Sequence, residues 1–477
     1  MVNVSLTTQD AYNLMHNGIL AFQRAEKAGI RIDTNYCERK QNHLTRKEDR
    51  LLRLFKTTEL AHKWKRKYKE KTNYNSDYQL GDMLYNVLQA EPPKRTSSGK
   101  GSVDEEALRQ LDVDGLQRLL DLRKIRKTRD TYLENFKREQ VGGYIHPIIN
   151  LHTTQTFRPS TNNPNLANIP KRDAWMHKAC RQALFPRPGH QLFEVDFGAL
   201  EVMIAYCYHK DPNMYEYLTS DEADMHGDMA KQIFILDGYF ERIQNAGGLK
   251  KVATLKTLRD ATKNGFVFPQ FYGDYHGNNA ISLACEWGKL PKGKWKKGQG
   301  IPMPDCYLSD HFIRNGIKSF DDFVEHMKKI EEDFWNRRFA EYGNWRENWL
   351  EKYRENGYFD MFTGFRCKGV MRKNEVINYP VQGAAFHCLL WCFIEVDRIA
   401  QEEGWDSRLV NQIYDSMILD VHPDELEHVA WTINKVATVD LPNAWPWIQI
   451  PLEVEADACP VDHSWAMKES YELPKVA

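Results

Sequence analysis

Two strand-like apolar runs, far apart in the chain, each break off at an aspartate. The first, Gln191–Val195, is followed by Asp196 and predicts a β-strand. The second, Leu409–Val421, has two apolar arms around a polar tip that contains Asp415, which predicts a β-hairpin. Carboxylates at strand ends suit a two-metal phosphoryl-transfer site, in which divalent ions about 4 Å apart take oxygen ligands. Taken singly, each is only an aspartate near a turn, where Asp is common.

A basic and aromatic segment, Arg259–Gly273, lies between these two runs. Arg259 and Lys263 are four residues apart, so on a helix they share one face and point at one anion. The aromatic residues that follow offer faces on which bases can stack. An isolated segment of this kind is more often a solvated basic turn that leads into core aromatics, so its position between the two aspartates is what gives it weight.

Taken together, these segments resemble DNA polymerase family A, the class of bacterial DNA polymerase I and its phage relatives. Asp196–Glu201 resembles the first palm motif, Arg259–Gly273 the fingers helix, and Tyr414–Ser416 the second palm motif. Gly29–Asp33 resembles the opening of the polymerase domain, and Thr156–Pro170 resembles the primer-template segment. Asn378–Ala385 resembles the minor-groove segment, and Pro451–Trp465 resembles the closing strand. The resemblance covers nearly the whole chain and is that of a divergent, phage-type member.

The resemblance implies an α+β, right-hand polymerase fold, with an antiparallel palm sheet and a largely helical thumb and fingers. Residues 1–45 are expected to form an N-terminal helical part of the palm, and residues 46–140 the thumb. Residues 141–203 are expected to form the part of the palm with the first metal aspartate. The fingers are expected at 204–370, and the part of the palm with the catalytic hairpin at 371–477. An inserted basic loop is expected in the fingers at about 278–318. A helix is expected from Val381 towards Glu402.

The function implied is template-directed extension of a DNA primer with deoxynucleoside triphosphates by two-metal phosphoryl transfer. Two Mg²⁺ ions are expected on Asp196, Asp415 and the backbone carbonyl of Phe197. Lys263 is expected to protonate the leaving pyrophosphate. The residues expected to bind the nucleotide are Arg259, Lys263, His226, Glu201, Phe268, Tyr272 and Phe197. Those expected to contact DNA are Arg158, Asn165, Asn168, Asn378 and Gln382 near the insertion site, and Lys65, Arg66, Lys67 and Arg129 in basic clusters of the thumb.

Three departures from the family pattern stand out. Ser416 occupies the place of the family's third carboxylate, and Val202 and Met203 follow Glu201 where the family continues to a basic residue. The spacing from Lys263 to Tyr272 is one residue too long, so either Phe266 or Phe268 takes the aromatic position, and counting back from Tyr272 favours Phe268. Because Pro269 also lacks an N–H, we expect a π-type bulge or kink in this helix.

Composition is compatible with this interpretation. The 477 residues imply several subdomains, and the net charge of −1 fits a protein that grips DNA through local basic clusters. The apolar stretches are too short to span a bilayer, and the nine scattered cysteines suggest reduced thiols in a cytoplasmic compartment, the host cytoplasm if the source is viral. Cys388, Cys392 and His387 could form a zinc site, but their apolar neighbours favour a buried helix.

Two other functions fit part of the pattern. A single-subunit RNA polymerase shares the palm and a similar fingers helix, although Glu201 and the Thr156–Pro170 segment favour the DNA enzyme. A non-catalytic DNA-binding protein on a decayed polymerase scaffold would explain the loss of the third carboxylate, although the survival of both aspartates and both cations argues against decay. We also expect no proofreading exonuclease in this chain, so that editing, like any processivity factor, would come from a separate protein.

Overall fold

The fold begins with two long amphipathic helices separated by a short strand. The computed structural model of the protein describes residues 6–96, 98–171, 173–220 and 222–476. The first elements are α1 (Thr8–Ala28), β1 (Ile30–Ile32) and α2 (Thr34–Lys56). Helix α1 ends at Gly29, whose φ of +66° favours glycine. The expected boundary at residue 45 falls inside α2.

A small helical unit with a core of its own follows. It comprises α3 (Glu59–Tyr68), α4 (Asp77–Gly81), α5 (Glu105–Arg109) and α6 (Leu116–Arg126), and is followed by α7 (Glu134–Glu139), whose Phe136 packs in a neighbouring core. The core of the unit contains Phe55, Trp64, Leu80 and Leu119. In α3 the buried Trp64 is followed by exposed basic residues, so one face of the helix packs while the other carries positive charge.

The next segment crosses to the main sheet. It contains β2 (Tyr144–Ile145), β3 (Ile148–Asn150), β4 (Ser160–Asn162), α8 (Ala174–Arg181), β5 (Leu184–Phe185) and β6 (Gln191–Phe197). Strand β1 pairs with β2 and β5, and β3 pairs with β4. Strand β6 is buried along nearly all its length, as expected of a strand at the centre of a sheet.

The second helical unit packs around an aromatic core that includes Phe266, Phe312 and Phe334. Its helices are α9 (Leu200–His209), α10 (Pro212–Thr219), α11 (Met225–Ile233), α12 (Phe240–Asn245), α13 (Ala253–Thr262), α14 (Phe268–Phe271), α15 (His276–Ala280), α16 (Leu308–Arg314), α17 (Phe320–Asp333) and α18 (Ala340–Asn356). The expected loop at about 278–318 is shorter than predicted, because residues 276–287 and 308–314 are helical. Its basic part is anchored by the buried Trp295.

The last segment completes the five-stranded sheet. It comprises β7 (Tyr358–Asp360), β8 (Arg366–Lys368), α19 (Lys373–Glu403), β9 (Arg408–Ile413), β10 (Ser416–Val421), α20 (Leu426–Lys435), α21 (Leu441–Ala444), β11 (Val454–Ala458) and β12 (Glu469–Tyr471). The strand order is β12-β11-β6-β10-β9, and every neighbouring pair is antiparallel. The predictions of a hairpin at residues 409–421 and of an α+β fold with an antiparallel sheet are confirmed.

Helix α19 begins eight residues before the predicted start at Val381, with Pro380 in its interior. A proline has no N–H to donate to the carbonyl four residues earlier, here that of Val376. The indole N–H of Trp349 donates to that carbonyl instead, at 3.0 Å. A tertiary contact therefore replaces the missing helical hydrogen bond. The sequence around Pro380 does not reveal that contact.

The close approach of α19 to the Thr156 backbone depends on Gly383. A Cβ there would lie 2.6 Å from the Thr156 carbonyl oxygen and 2.8 Å from the Met361 methyl carbon. We therefore expect Gly383→Ala to lower the free energy of unfolding by about 1–3 kcal/mol, because backbone must shift to admit the methyl group. Chemical denaturation measures this. Gly238→Ala is the matched control, because nothing lies within 4 Å of its added Cβ. If Gly238→Ala lowered the free energy of unfolding as much as Gly383→Ala does, the packing argument would be contradicted.

Candidate active site

Pairing of β6 with β10 brings the two predicted aspartates to one edge of the sheet. Asp196 lies near the end of β6 directly opposite Ser416, the first residue of β10, and Asp415 is in the turn just before it. The Phe197 N–H donates to the Asp415 carbonyl oxygen at 3.2 Å, which fixes the turn against the strand. The Phe197 side chain is buried, so only its backbone is available to a ligand.

The two carboxylates repel one another in a poorly solvated place. Burial, followed by the negative charge of Asp415, raises the pKa of Asp196 to about 7, and Lys171 offsets part of this rise. The buried Oδ1 of Asp196 accepts no hydrogen bond from the described residues. A pair of hard oxygen ligands with an unpartnered oxygen and excess negative charge is suited to a divalent cation.

Ser416 adds no charge to this pair. It is buried, and its hydroxyl donates to the Ile413 carbonyl at 3.0 Å. Within the described residues no group of three His, Cys, Asp or Glu side chains converges on a metal position. Any metal held here would therefore rely on two side-chain carboxylates and on oxygens from elsewhere.

A cavity of about 370 Å³ opens beside Asp415 and is walled by the predicted basic helix. Its lining includes Glu201, His226, Lys250, Arg259, Lys263, Phe268, Tyr272 and Asp415. The cavity lining thus combines carboxylates, Asp415 among them, with the cations of the basic helix. The predicted sharing of one face by Arg259 and Lys263 is confirmed.

Arg259 is occupied by an ion pair that the sequence analysis missed. Its Nε lies 3.0 and 2.8 Å from the two carboxylate oxygens of Asp224, and its Nη2 lies 2.7 Å from Oδ1. The Arg259 side chain is only 14% exposed. Asp224 is also the N-cap of α11 and accepts from the Gly227 N–H. The only sequence signal was the proximity of Asp224 to His226, and it does not identify a partner 35 residues away.

His226 is neutral at physiological pH. Burial, with the added positive charges of Arg259 and Lys263, lowers its pKa to about 4. Its Nδ1 is buried and has no hydrogen-bond partner among the described residues, and its ring lies edge-on to Phe268 with centroids 5.7 Å apart. The imidazole can therefore take part in hydrogen bonding at the cavity without adding charge.

The predicted irregularity of the basic helix is confirmed. Helix α13 ends at Thr262, a π-helical turn occupies Lys263–Val267, and α14 continues from Phe268. The extra residue is absorbed in the π turn. Phe266 is fully buried against Phe334, whereas Phe268 lines the cavity with the Lys263 ammonium 5.3 Å from its ring centre. Of the two candidates, Phe268 is the cavity aromatic.

Glu201, Arg158 and Tyr272 form one polar group at the other side of the cavity. The Tyr272 hydroxyl donates to Glu201 Oε2 at 2.6 Å, and the Arg158 guanidinium pairs with the same carboxylate. Asn378 Nδ2 donates to the Tyr272 carbonyl at 3.1 Å. Gln382 lines an adjoining hollow with Glu201 and Tyr272. The structure therefore brings together candidates that are distant in the sequence.

The remaining DNA-contact candidates lie away from this cavity. Asn165 and Asn168 line a separate cavity of about 390 Å³ beside Tyr132, whose hydroxyl donates to the Asn168 carbonyl. Lys65, Arg66 and Lys67 are exposed on α3, where Lys67 pairs with Asp82. Arg129 differs from the expectation of an outward cation: its side chain is 19% exposed and pairs with Glu48 and Asp130.

The alternative zinc site is not formed. Cys388 and Cys392 lie in the apolar core around α19, and the buried His387 ring hydrogen-bonds to the Thr363 hydroxyl at 2.7 Å. Burial lowers the pKa of His387 to about 3 and raises the pKa of both thiols. The predicted buried helix is therefore confirmed.

Comparison with known proteins agrees with this geometry. A sequence model described as DNA polymerase family A matches residues 43–244, which include Arg158, Asp196 and Glu201. DNA polymerase I of Pseudomonas aeruginosa is 26% identical over 383 residues, which are 78% of this chain and 37% of that protein. The DNA polymerase of Bacillus phage SP01 is 21% identical over 77% of this chain and 37% of that protein.

The structural likeness covers more of the chain. The polymerase domain of Pol1 from M. smegmatis, solved in complex with DNA primer-template and dNTP, superposes over 94% of this chain and 70% of that one, with a TM-score of 0.70 and 21% identity. The chain is similar in sequence to DNA polymerases of family A, and the family's sequence model matches less than half of its length. Its fold is that of the family's polymerase domain, with palm, fingers and thumb. It spans about two fifths of the length of the curated family A relatives that head the comparison.

Among the described residues of the chain, none of the helices combines the length and the apolar character that a membrane span requires.

The repulsion between the two aspartates predicts a pH-dependent stability in the absence of metal. Because the raised pKa makes Asp196 bind its proton more tightly in the folded chain, this contribution is fully present below about pH 4 and is lost as the pH rises to about 7. With EDTA present, we expect Asp196→Asn to have a higher Tm than the unaltered chain, by an amount that grows between about pH 5 and about pH 7 and then levels off.

Thermal unfolding across this range measures the difference. Asp112→Asn, at an exposed aspartate that forms no ion pair with a described residue, is the matched control and should leave the Tm close to that of the unaltered chain throughout this range. Replacing EDTA with Mg²⁺ should raise the Tm of the unaltered chain more than that of Asp196→Asn. A pH-independent difference for Asp196→Asn would show that the carboxylates do not repel as described.

Proposed function

We propose that this chain is a DNA-directed DNA polymerase that extends a primer on a template with deoxynucleoside triphosphates. The observation that carries the proposal is the pair of sheet-edge carboxylates, Asp196 and Asp415, of which Asp415 lines the same cavity as Lys263. Phosphoryl transfer needs this arrangement, in which oxygen ligands for a cation and positive charge for the phosphates face the same space. The similarity to DNA polymerase I of Pseudomonas aeruginosa, and to a Pol1 domain solved with primer-template and dNTP, supports the same reaction.

Two Mg²⁺ ions are the proposed cofactor, held by Asp196, Asp415 and the Phe197 carbonyl. The unpartnered Oδ1 and the raised pKa of Asp196, caused by burial and then by Asp415, fit a site completed by a cation. When bound, the ions would lower the pKa of the primer hydroxyl and neutralise charge on the triphosphate. With only two side-chain carboxylates, substrate and water oxygens would fill the remaining coordination positions.

The cavity residues would bind and orient the nucleotide. Lys263 would lie against the phosphates and supply the proton that leaves with pyrophosphate, since its ammonium is a compact charge with three donors. Neutral His226 would donate a hydrogen bond to a phosphate oxygen. Phe268 would pack on the sugar, and Glu201, held by Arg158 and Tyr272, would crowd the 2′ position.

The duplex would be bound by the rest of the molecule. We assign the thumb to 46–140, the fingers to 204–370 and the palm to the remaining ranges, because the thumb and the fingers each have a core of their own. Exposed Lys65 and Arg66 would contact backbone phosphates without regard to sequence. Asn165 and Asn168 would contact the primer-template, and Asn378 and Gln382 the minor groove at the insertion site.

Removing either metal carboxylate should abolish extension without releasing the DNA. We expect Asp196→Asn and Asp415→Asn each to lower kcat by at least about a thousandfold, because the charge that holds the metals supplies several kcal/mol to the transition state. Primer-template affinity should stay within about threefold of the unaltered chain, since phosphate contacts elsewhere supply it. Single-turnover extension with Mg²⁺ and a DNA-binding titration measure the two quantities.

Asp112→Asn again serves as the control and should extend normally. Substantial turnover by either aspartate variant would make the metal assignment wrong. If the unaltered chain binds primer-template but extends nothing, the chain is a DNA-binding protein on this fold, and if it prefers ribonucleotides it is an RNA polymerase.

Glu201→Ala should relax discrimination against ribonucleotides. The side chain is held beside Phe268 and Tyr272, and its removal opens space for a 2′-hydroxyl. We expect the ratio of kcat/KM for deoxynucleotides over ribonucleotides to fall at least about tenfold, a change of ~1.4 kcal/mol. Tyr272→Phe, which deletes only the hydroxyl bound to Glu201, should give a smaller change in the same direction. Glu216→Ala, at an exposed residue of α10, is the control, and a ratio unchanged in Glu201→Ala would place the sugar gate elsewhere.

A further inference from the structure

The positive charge available to a polyphosphate in the cavity is smaller than the sequence suggests. Arg259 is engaged through Nε and Nη2 by the Asp224 carboxylate, so the pair is nearly neutral as a unit. Lys263 forms no ion pair with a carboxylate of the described residues. A triphosphate that enters with its own negative charge would therefore be opposed by one uncommitted cation on this helix.

Lys250 supplies a second uncommitted cation from a different element. It lines the same cavity as His226, Arg259, Lys263 and Asp415. Within the described ranges of the chain, no carboxylate oxygen lies within 4 Å of its ammonium, and the residue is exposed. Its long side chain is thus free to meet a ligand at the mouth of the cavity.

The backbone that carries Lys250 is fixed. Leu249 beside it is buried in the core of the fingers, and the Gly248 N–H donates to the Ile243 carbonyl at 2.9 Å. The turn enters through Gly247 and Gly248, whose φ values of +73° and +120° favour glycine, and leads directly into α13. Lys250 is therefore held in a constant relation to the helix that carries Arg259 and Lys263.

Lys250 already acts electrostatically on the cavity residues. Burial is the main cause of the low pKa of His226, and the positive charges of Arg259, Lys263 and Lys250 contribute to it. Burial raises the pKa of Asp224. Hydrogen bonds from Arg259 and the positive charges of Arg259 and Lys250 lower it, and the net effect is a lowered pKa. The Lys250 charge is thus near two other residues of the cavity lining, His226 and Asp224.

We propose that Lys250 binds the terminal phosphates of the incoming nucleoside triphosphate and of pyrophosphate, and so sets the affinity for both. The inference rests on the proposed polymerase function and adds to it a contact from the turn before α13. Because the Asp224 carboxylate occupies Arg259, the β- and γ-phosphates would have Lys263 and Lys250 as the uncommitted cations of the cavity lining. Lys250 positions the leaving group and takes no part in bond formation.

The test separates binding from chemistry. We expect Lys250→Ala to raise KM for deoxynucleotides about five- to tenfold with kcat within about twofold, as for the loss of one charge-assisted contact. In the reverse reaction, in which pyrophosphate removes the primer terminus as a nucleoside triphosphate, KM for pyrophosphate should rise by a similar factor. Lys250→Arg should restore most of both affinities, because it keeps the charge.

Lys251→Ala is the matched control. Lys251 lies on the same turn but outside the cavity lining, and its ammonium lies 3.5 Å from where a Cβ on Gly247 would be. The KM values of Lys251→Ala for deoxynucleotides and for pyrophosphate should stay within about twofold of those of the unaltered chain. If the unaltered chain extends primers and Lys250→Ala has unchanged KM for both ligands, this inference is wrong and the polymerase function stands. If the unaltered chain extends nothing, the function and the inference fail together.

Discussion

The antiparallel pairing of β6 with β10 is the interaction on which the candidate active site depends. It places Ser416 opposite Asp196 and the Asp415 turn against the Phe197 N–H, so two residues from distant parts of the chain meet at one sheet edge. A slip of one residue would turn the Asp196 side chain to the other face of the sheet. The burial of β6, β10 and α19 fixes the register against that change, and it also creates the poorly solvated setting in which the carboxylates repel.

The cavity opposes this negative charge with cations that differ in their freedom. Arg259 is held rigidly by Asp224 and closes one wall, while Lys263 and Lys250 keep their ammonium groups uncommitted. His226, kept neutral mainly by burial, adds a hydrogen-bonding group without further charge. This division would suit the proposed triphosphate, which must bind and then leave as pyrophosphate, because the Arg259–Asp224 pair defines the shape of the cavity while the lysine side chains can move with a ligand.

Sequence reasoning succeeded where the signal was local. The hairpin around Asp415 follows from alternating apolar residues and a polar tip, and the π turn at Lys263–Val267 follows from one surplus residue before Pro269. It failed where a distant side chain decides the outcome. Nothing near Arg259 identifies Asp224 as its partner, and nothing near Pro380 shows that Trp349 satisfies the freed carbonyl. Arg129 was likewise expected to be an outward cation, because nothing near it in the sequence identifies Glu48, on another helix, as its ion-pair partner.

The serine at 416 is consistent with the electrostatics of this site. Residues directly opposite in an antiparallel pair project to the same face with Cβ atoms about 5 Å apart, so a carboxylate at 416 would lie beside Asp196. That third negative charge would raise the pKa of Asp196 further in the metal-free chain. Ser416 avoids this cost because its hydroxyl satisfies the Ile413 carbonyl and carries no charge. The chain thus exchanges a possible metal ligand for less charge repulsion at the sheet edge, and a metal bound as proposed would need backbone, water and substrate oxygens to complete its coordination.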